Sequence, residues 1–233
     1  MITVCFIASN LTKFHFPWKP VIEQAKKIGK IIINADLDST DDTVNLINSI
    51  EGITVIENHW GKPIGKEWLR NQKQAVVDIA TTDFILYLDI DELFDDAGCE
   101  WLKKIVNMDL LGFDGVRFPY YHFYGDILHR QPDDAGAGWS TKITRLARNP
   151  VKFIANSDGF GLAIPDVSVM NSSHRIYHYS HVRPREEWHK KNRMMFARYN
   201  KQYNDLDIDY DSLQLFEGTH PDVIKKHYDF FQQ

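Results

Sequence analysis

Apolar runs of strand length alternate with amphipathic stretches through the first ninety residues. Ile2–Ala8, Lys30–Asn34, Ile53–Glu57 and Phe84–Leu88 read as strands, each short, rich in β-branched or aromatic residues and bounded by polar positions. Between them, Pro20–Ile28, Thr43–Ile50 and Lys66–Ala80 carry helical periodicity. The second of these follows Ser39 or Thr40 as its N-cap. The third sets Trp68, Leu69, Gln72, Ala75, Val76 and Ile79 on one face. Strand and helix in alternation predict an α/β fold: a Rossmann-like, mostly parallel sheet with helices on both faces.

The pattern changes after residue 112. Gly115–Tyr124 and Ser140–Ala147 read as strands, with an exposed loop over Gln131–Gly138 between them, and Arg175–Tyr179 as another strand. Arg185–Tyr203 predicts a long basic helix and Pro221–Phe231 a short one. The expected organisation is one domain over 1–233: a first half (1–112), a smaller β region (113–205) and a helical tail (206–233).

Charge narrows the partners. A net charge of −5 argues against nonspecific binding of nucleic acid over the whole surface. Cys5 and Cys99 are the only cysteines, which implies free thiols in a reducing, cytoplasmic setting. The N-terminus lacks the basic flank and apolar core of a signal peptide, and no run is long enough to cross a bilayer. The basic stretch Arg185–Arg193 suits peripheral contact with a membrane or an anionic acceptor. Glu186 and Glu187 interrupt it, so a solvated helix face is the plainer reading.

Phe84–Glu92 carries the strongest chemical signal. Its apolar run ends in Asp89, Asp91 and Glu92, at the carboxyl end of a predicted strand where open α/β sheets bind ligands. Were the extended backbone to continue, Asp89 and Asp91 would project from one face. Paired carboxylates suit a hard divalent cation, which in turn can hold a diphosphate. A structural turn is the competing reading. So is a phosphohydrolase site of the haloacid dehalogenase type, although there the pair follows the first strand and precedes Gly-Thr. Asp36–Thr43 offers acceptors for a base or ribose, or simply caps a helix. Arg70 suits a phosphate or base edge, or a solvated helix surface. His178 suits Mn²⁺ as a neutral imidazole, or a packed core. Asp158, before Gly159, suits a general base, or a plain turn.

In order and spacing these pieces resemble a family 2-type glycosyltransferase of the GT-A fold, nearest to the lipopolysaccharide-core glucosyltransferase-like subset. The matching residues are Asp36-Leu-Asp-Ser-Thr-Asp-Asp-Thr43, Trp60, Arg70-Asn71, Asp89-Ile-Asp-Glu92, Lys142-Ile-Thr-Arg-Leu146 and His178-Tyr-Ser180. Asp38 and Asp42 replace two glycines of the family pattern, and Ser157-Asp158 stands where the subset has His-Glu. The resemblance spans about the first 180 to 200 residues.

It implies a metal-dependent, inverting hexosyltransferase. Ala8, Asp36, Arg70 and Asp89 would contact the nucleotide of a donor, a UDP-sugar by preference. Asp91, His178 and Asp89 would hold Mn²⁺ or Mg²⁺. Asp158 would be the catalytic base, with Asp126, Asp133 and Asp134 as alternatives. Tyr120, Tyr121, His122, Tyr124 and Trp139 would offer aromatic surfaces to a glycan acceptor. Two other classes stay open: a non-catalytic nucleotide- or carbohydrate-binding module, and a metal-dependent nucleotidyltransferase or phosphohydrolase.

Overall fold

The structure, a computed structural model, describes residues 1–62, 65–133, 142–198, 201–204, 208–227 and 229. The chain opens with β1 (Ile2–Ala8), α1 (Trp18–Ile28), β2 (Lys30–Asp36), α2 (Thr43–Asn48), β3 (Thr54–Asn58), α3 (Lys66–Asp78) and β4 (Phe84–Tyr87). A short β5 (Glu92–Phe94) and α4 (Asp96–Asn107) follow, then β6 (Gly115–Tyr124), β7 (His129–Arg130), β8 (Lys142–Arg148), β9 (Val169–Asn171) and β10 (Ile176–His181). The last elements are α5 (Arg185–Arg198), β11 (Gln214–Leu215) and α6 (Asp222–Lys226).

Among the described residues the strands join one sheet, ordered β11-β7-β6-β8-β4-β1-β2-β3, with β5, β9 and β10 attached off that path. The section β4-β1-β2-β3 is parallel, as helical crossovers between consecutive strands require. At β4 the character changes, because β8 runs antiparallel to both β4 and β6.

Strand periodicity distributes the core to both faces. Val4, Phe6, Ile31, Ile33, Phe84 and Leu86 pack on the side of α1 and α4, whereas Cys5, Ile32, Ile85 and Tyr87 pack on the side of α3. The expected α/β architecture with helices on both faces is therefore present.

Two details differ from the sequence reading. Neither Ser39 nor Thr40 caps α2, because both are drawn to Asn10: Asn10 N donates to Ser39 Oγ and Thr40 N to Asn10 Oδ1. Asp41 takes the local role instead, accepting from Thr43 N (3.1 Å) and from Thr12 N and Lys13 N (2.8 Å each). The segments after β1 and β2 are thereby stitched together at the carboxyl edge of the sheet. Secondly, α4 has no counterpart in the expected elements. Asp95 caps it by accepting from Gly98 N, and Cys99, Leu102, Ile105 and Val106 supply its buried face.

Candidate active site

The carboxyl end of β4 is where the acidic motif turns. The strand stops at Tyr87, and Glu92 N donates to the Asp89 carbonyl (3.0 Å), closing a turn through Ile90 and Asp91. The extended backbone that would have aimed both carboxylates one way is absent, so Asp89 and Asp91 serve different neighbourhoods.

Asp89 enters a buried charge network. Its Oδ1 lies 2.9 Å from Lys73 Nζ and accepts from Tyr87 Oη (3.1 Å), and its Oδ2 accepts from Arg145 (2.8 Å). Arg145, 2% exposed, also bonds Glu92 (2.5 Å) and the Tyr120 hydroxyl (2.6 Å). Burial acts against ionisation of Asp89, yet Lys73 and Arg145 outweigh it and hold that carboxyl well below its ordinary range. For Glu92 burial wins over Arg145 and pushes the pKa up to about 7. With its oxygens engaged in this way, Asp89 belongs to an ion-pair network on the side away from Asp91 and His178.

Asp91 faces the other way. It is buried, with Oδ1 3.6 Å from His178 Nε2 and Oδ2 3.7 Å from Lys191 Nζ. Strand pairing makes this meeting: β10 runs antiparallel to β5 with His178 opposite Glu92, and Tyr179 N donates to the Asp91 carbonyl (2.9 Å). His178 Nδ1 sits 2.8 Å from His122 Nδ1, which leaves Nε2 directed to Asp91. Burial, helped by Lys191, lowers the His178 pKa to about 3, so the ring is neutral, the form in which an imidazole ligates a metal. Burial and neighbouring Arg183 bring Lys191 down to about 7 against the opposing pull of Asp91.

These two donors fit one small divalent cation. Their 3.6 Å separation is spanned by an ion whose ligands lie about 2.1 Å away, and such ions ordinarily complete their shell with water and substrate phosphate. Among the described residues no group of three or more metal-ligating side chains assembles.

No family model and no curated protein matches the sequence. Among solved structures the chain is similar to S. aureus TarS 1–349, at 13% identity and a TM-score of 0.49, over 84% of this chain and 70% of that one. The same S. aureus fragment in complex with UDP-GlcNAc gives 13% identity and a TM-score of 0.47. Against the whole TarS structure the chain spans 42% of its length. A manganese complex of Rv0371C from Mycobacterium tuberculosis H37Rv gives 12% identity and a TM-score of 0.36, covering 51% of this chain and 64% of that one.

Two further sequence-predicted residues, Ala8 and Asp36, end strands at the same edge of the sheet. Ala8 ends β1, buried and in register with Ala35. Asp36 ends β2, accepting from Ser9 Oγ (2.7 Å) and Asp38 N (2.9 Å). Beside them Trp60 bonds Asn34 and meets Trp68 edge-on. Arg70 lies on α3, paired with Glu67 (3.0 Å) and bonded to Asn71.

Asp158 occupies a tight turn pressed onto α3. Gly159 beside it has φ +75°, and a Cβ there would lie 3.0 Å from Lys73 Cδ and 3.1 Å from Arg70 Cα. Lys73 Nζ also donates to the Gly159 carbonyl (3.3 Å) while paired with Asp89. One ammonium thus ties the motif after β4 to the turn bearing Asp158. Gly159→Ala is expected to cost about 1–2 kcal/mol from backbone conformation alone, read as a lowered urea midpoint. An unchanged midpoint would show that this turn relaxes freely.

Of the alternative bases, Asp126 accepts from Leu128 N and His129 N, and Asp133 pairs with Arg130 and Arg175. Asp134 and Trp139 lie outside the described residues. Tyr120 and His122 are buried and bonded within the protein, which removes them from the expected acceptor surface. Tyr124 is stacked on His181 (4.2 Å between ring centres). Tyr121 is half-buried and carries Arg175 and Arg130 against its ring, at 4.5 and 5.0 Å.

Lys73, Arg183 and Lys191 were absent from the sequence-derived site. Lys73 had a signal, since it falls on the helical stripe of Leu69 and Val76 where a charge has no reason to be solvated. Lys191 corrects the expected solvated face of α5, being only 8% exposed.

Proposed function

We propose that the chain is a metal-dependent, inverting glycosyltransferase that moves a sugar from a nucleotide-diphosphate donor, a UDP-sugar by preference, to a hydroxyl of a glycan acceptor. The observation that carries this reading is the meeting of Asp91 Oδ1 with His178 Nε2 at the carboxyl end of a parallel sheet, beside the buried Lys191.

Ala8, Asp36 and Arg70 border the nucleotide position along the ends of β1, β2 and α3. Asp36, fixed by Ser9, presents an acceptor edge for a base. Asp91 and His178 would hold Mn²⁺ or Mg²⁺. Bound there, the ion would supply positive charge to offset the negative charge that develops on the departing diphosphate. Asp158 takes the proton of the acceptor hydroxyl as that oxygen attacks the anomeric carbon opposite the leaving group. The C–O bond to the diphosphate breaks and its electron pair leaves with the nucleotide. Lys73 keeps the Asp158 turn and the Asp89 side in fixed relation, which is the positioning that such a transfer needs.

Asp158→Asn tests the base. It is expected to lower transfer by about 100- to 10,000-fold while leaving UDP affinity within a factor of about two. Loss of UDP binding instead would place Asp158 with the donor. Product analysis separates the reaction classes: nucleoside diphosphate marks sugar transfer, whereas monophosphate or pyrophosphate marks attack at phosphorus.

A further inference from the structure

Lys191 and Arg183 are buried on the side of Asp91, and among the described residues Arg183 has more donors than are satisfied. Arg183 lies between β10 and α5 and is 5% exposed. Its Nη1 donates to the Phe14 carbonyl, while among the described residues Nε and Nη2 have no hydrogen-bond partner. Lys191, on α5, donates from Nζ to the Ser180 carbonyl (3.1 Å) and to Ser180 Oγ, and lies 3.7 Å from Asp91 Oδ2.

The carboxylates nearby do not balance them. Asp91 acts on both cations. Glu187 also acts on Arg183 but is bonded to Lys190 (3.0 Å), and Asp89 is engaged by Lys73 and Arg145. Among the described residues these two buried basic groups therefore share one dedicated carboxylate. A guanidinium buried with two of its nitrogens unbonded is costly, and a ligand bearing several anionic oxygens removes that cost. The planar fork of arginine matches phosphate oxygens in pairs, and the lysine ammonium adds a compact charge.

A single ring covers both groups. The Phe16 ring centre lies 4.7 Å from Arg183 Cζ and 4.9 Å from Lys191 Nζ. Phe16 belongs to the irregular segment after β1, follows a residue of positive φ (His15, +51°), and is only half-buried. It borders a cavity of about 260 Å³ that Leu11, Trp18 and Leu46 also line, which gives the ring space to move.

We propose that Arg183 and Lys191 form the seat of the donor diphosphate, and that Phe16 is the cover over that seat. This rests on the donor reading above and extends it. The carboxylate of Asp91 then has two sides, Oδ1 toward His178 and Oδ2 toward Lys191, so both flank the same phosphates.

Calorimetric titration of the full chain with UDP, inorganic pyrophosphate and uridine, each in EDTA and in Mn²⁺, tests the seat. The wild type is expected to bind UDP more tightly than uridine even in EDTA. Arg183→Met and Lys191→Met should each weaken UDP and pyrophosphate by about 10- to 100-fold and leave uridine unchanged. Phe16→Ala should tighten pyrophosphate without affecting uridine. Lys191→Met carries the test on its own if Arg183→Met does not fold. UDP affinity unchanged in the folded variants overturns the seat while leaving the donor reading intact. A wild type that binds neither UDP nor pyrophosphate in either buffer overturns both.

Discussion

Asp91→Asn is expected to lower UDP release from a UDP-sugar in Mn²⁺ by about 1,000-fold, equivalent to about 4 kcal/mol of transition-state stabilisation. The substitution keeps shape and removes charge. The backbone carbonyl of residue 91 still accepts from Tyr179 N, so β10 keeps its place and the variant should fold. His178 would then face an amide, a poor ligand for a hard cation. The same loss should appear in the wild type when EDTA replaces Mn²⁺, and the variant should no longer respond to added metal. Near-normal turnover of Asp91→Asn in Mn²⁺ would remove the metal assignment. An unchanged circular dichroism spectrum at the assay temperature would confirm that the effect is chemical and not a loss of fold.

The second large effect is on stability. Arg145→Met is expected to cost about 3–5 kcal/mol, lowering the melting temperature by roughly 6–20 °C. Arg145 is nearly inaccessible and joins Asp89, Glu92 and Tyr120 in one place. Methionine fills similar volume but leaves the acid pair to Lys73 alone. Adding Glu92→Gln should recover part of the loss, because the carboxyl that Arg145 balances is then neutral. A single variant less stable by under about 1 kcal/mol would mean that Lys73 alone carries the network.

The sequence made the parallel section legible because its evidence is local. Val4, Phe6 and Ile33 alternate with Cys5 and Ile32 across two faces, and each helix between strands carries its own apolar stripe. The helix α4 is equally local, since Asp95 followed by Cys99, Leu102 and Val106 spells a cap and a face. Strands of two or three residues, such as β5 and β11, have no period to read and exist only through their partners.

The site divides in the same way. Asp91 was visible as an acid after an apolar run. Its meeting with His178 depends on pairing between β5 and β10, which no spacing reveals. The divergence of Asp89 depends on a turn after Tyr87, which the alternation rule could not foresee. The approach of Phe16 to Arg183 and Lys191 joins residues far apart in the chain, which no local pattern shows.

Cys5 and Cys99 are both buried and unbridged, and burial pushes the Cys5 thiol far up and the Cys99 thiol up to about 12. Neither presents a thiolate to a maleimide at neutral pH. The natural chain is thus a silent background for labelling: one cysteine introduced on the surface would be the only position to accept a dye. Distances across the protein could then be followed as nucleotide binds, without first removing any native residue.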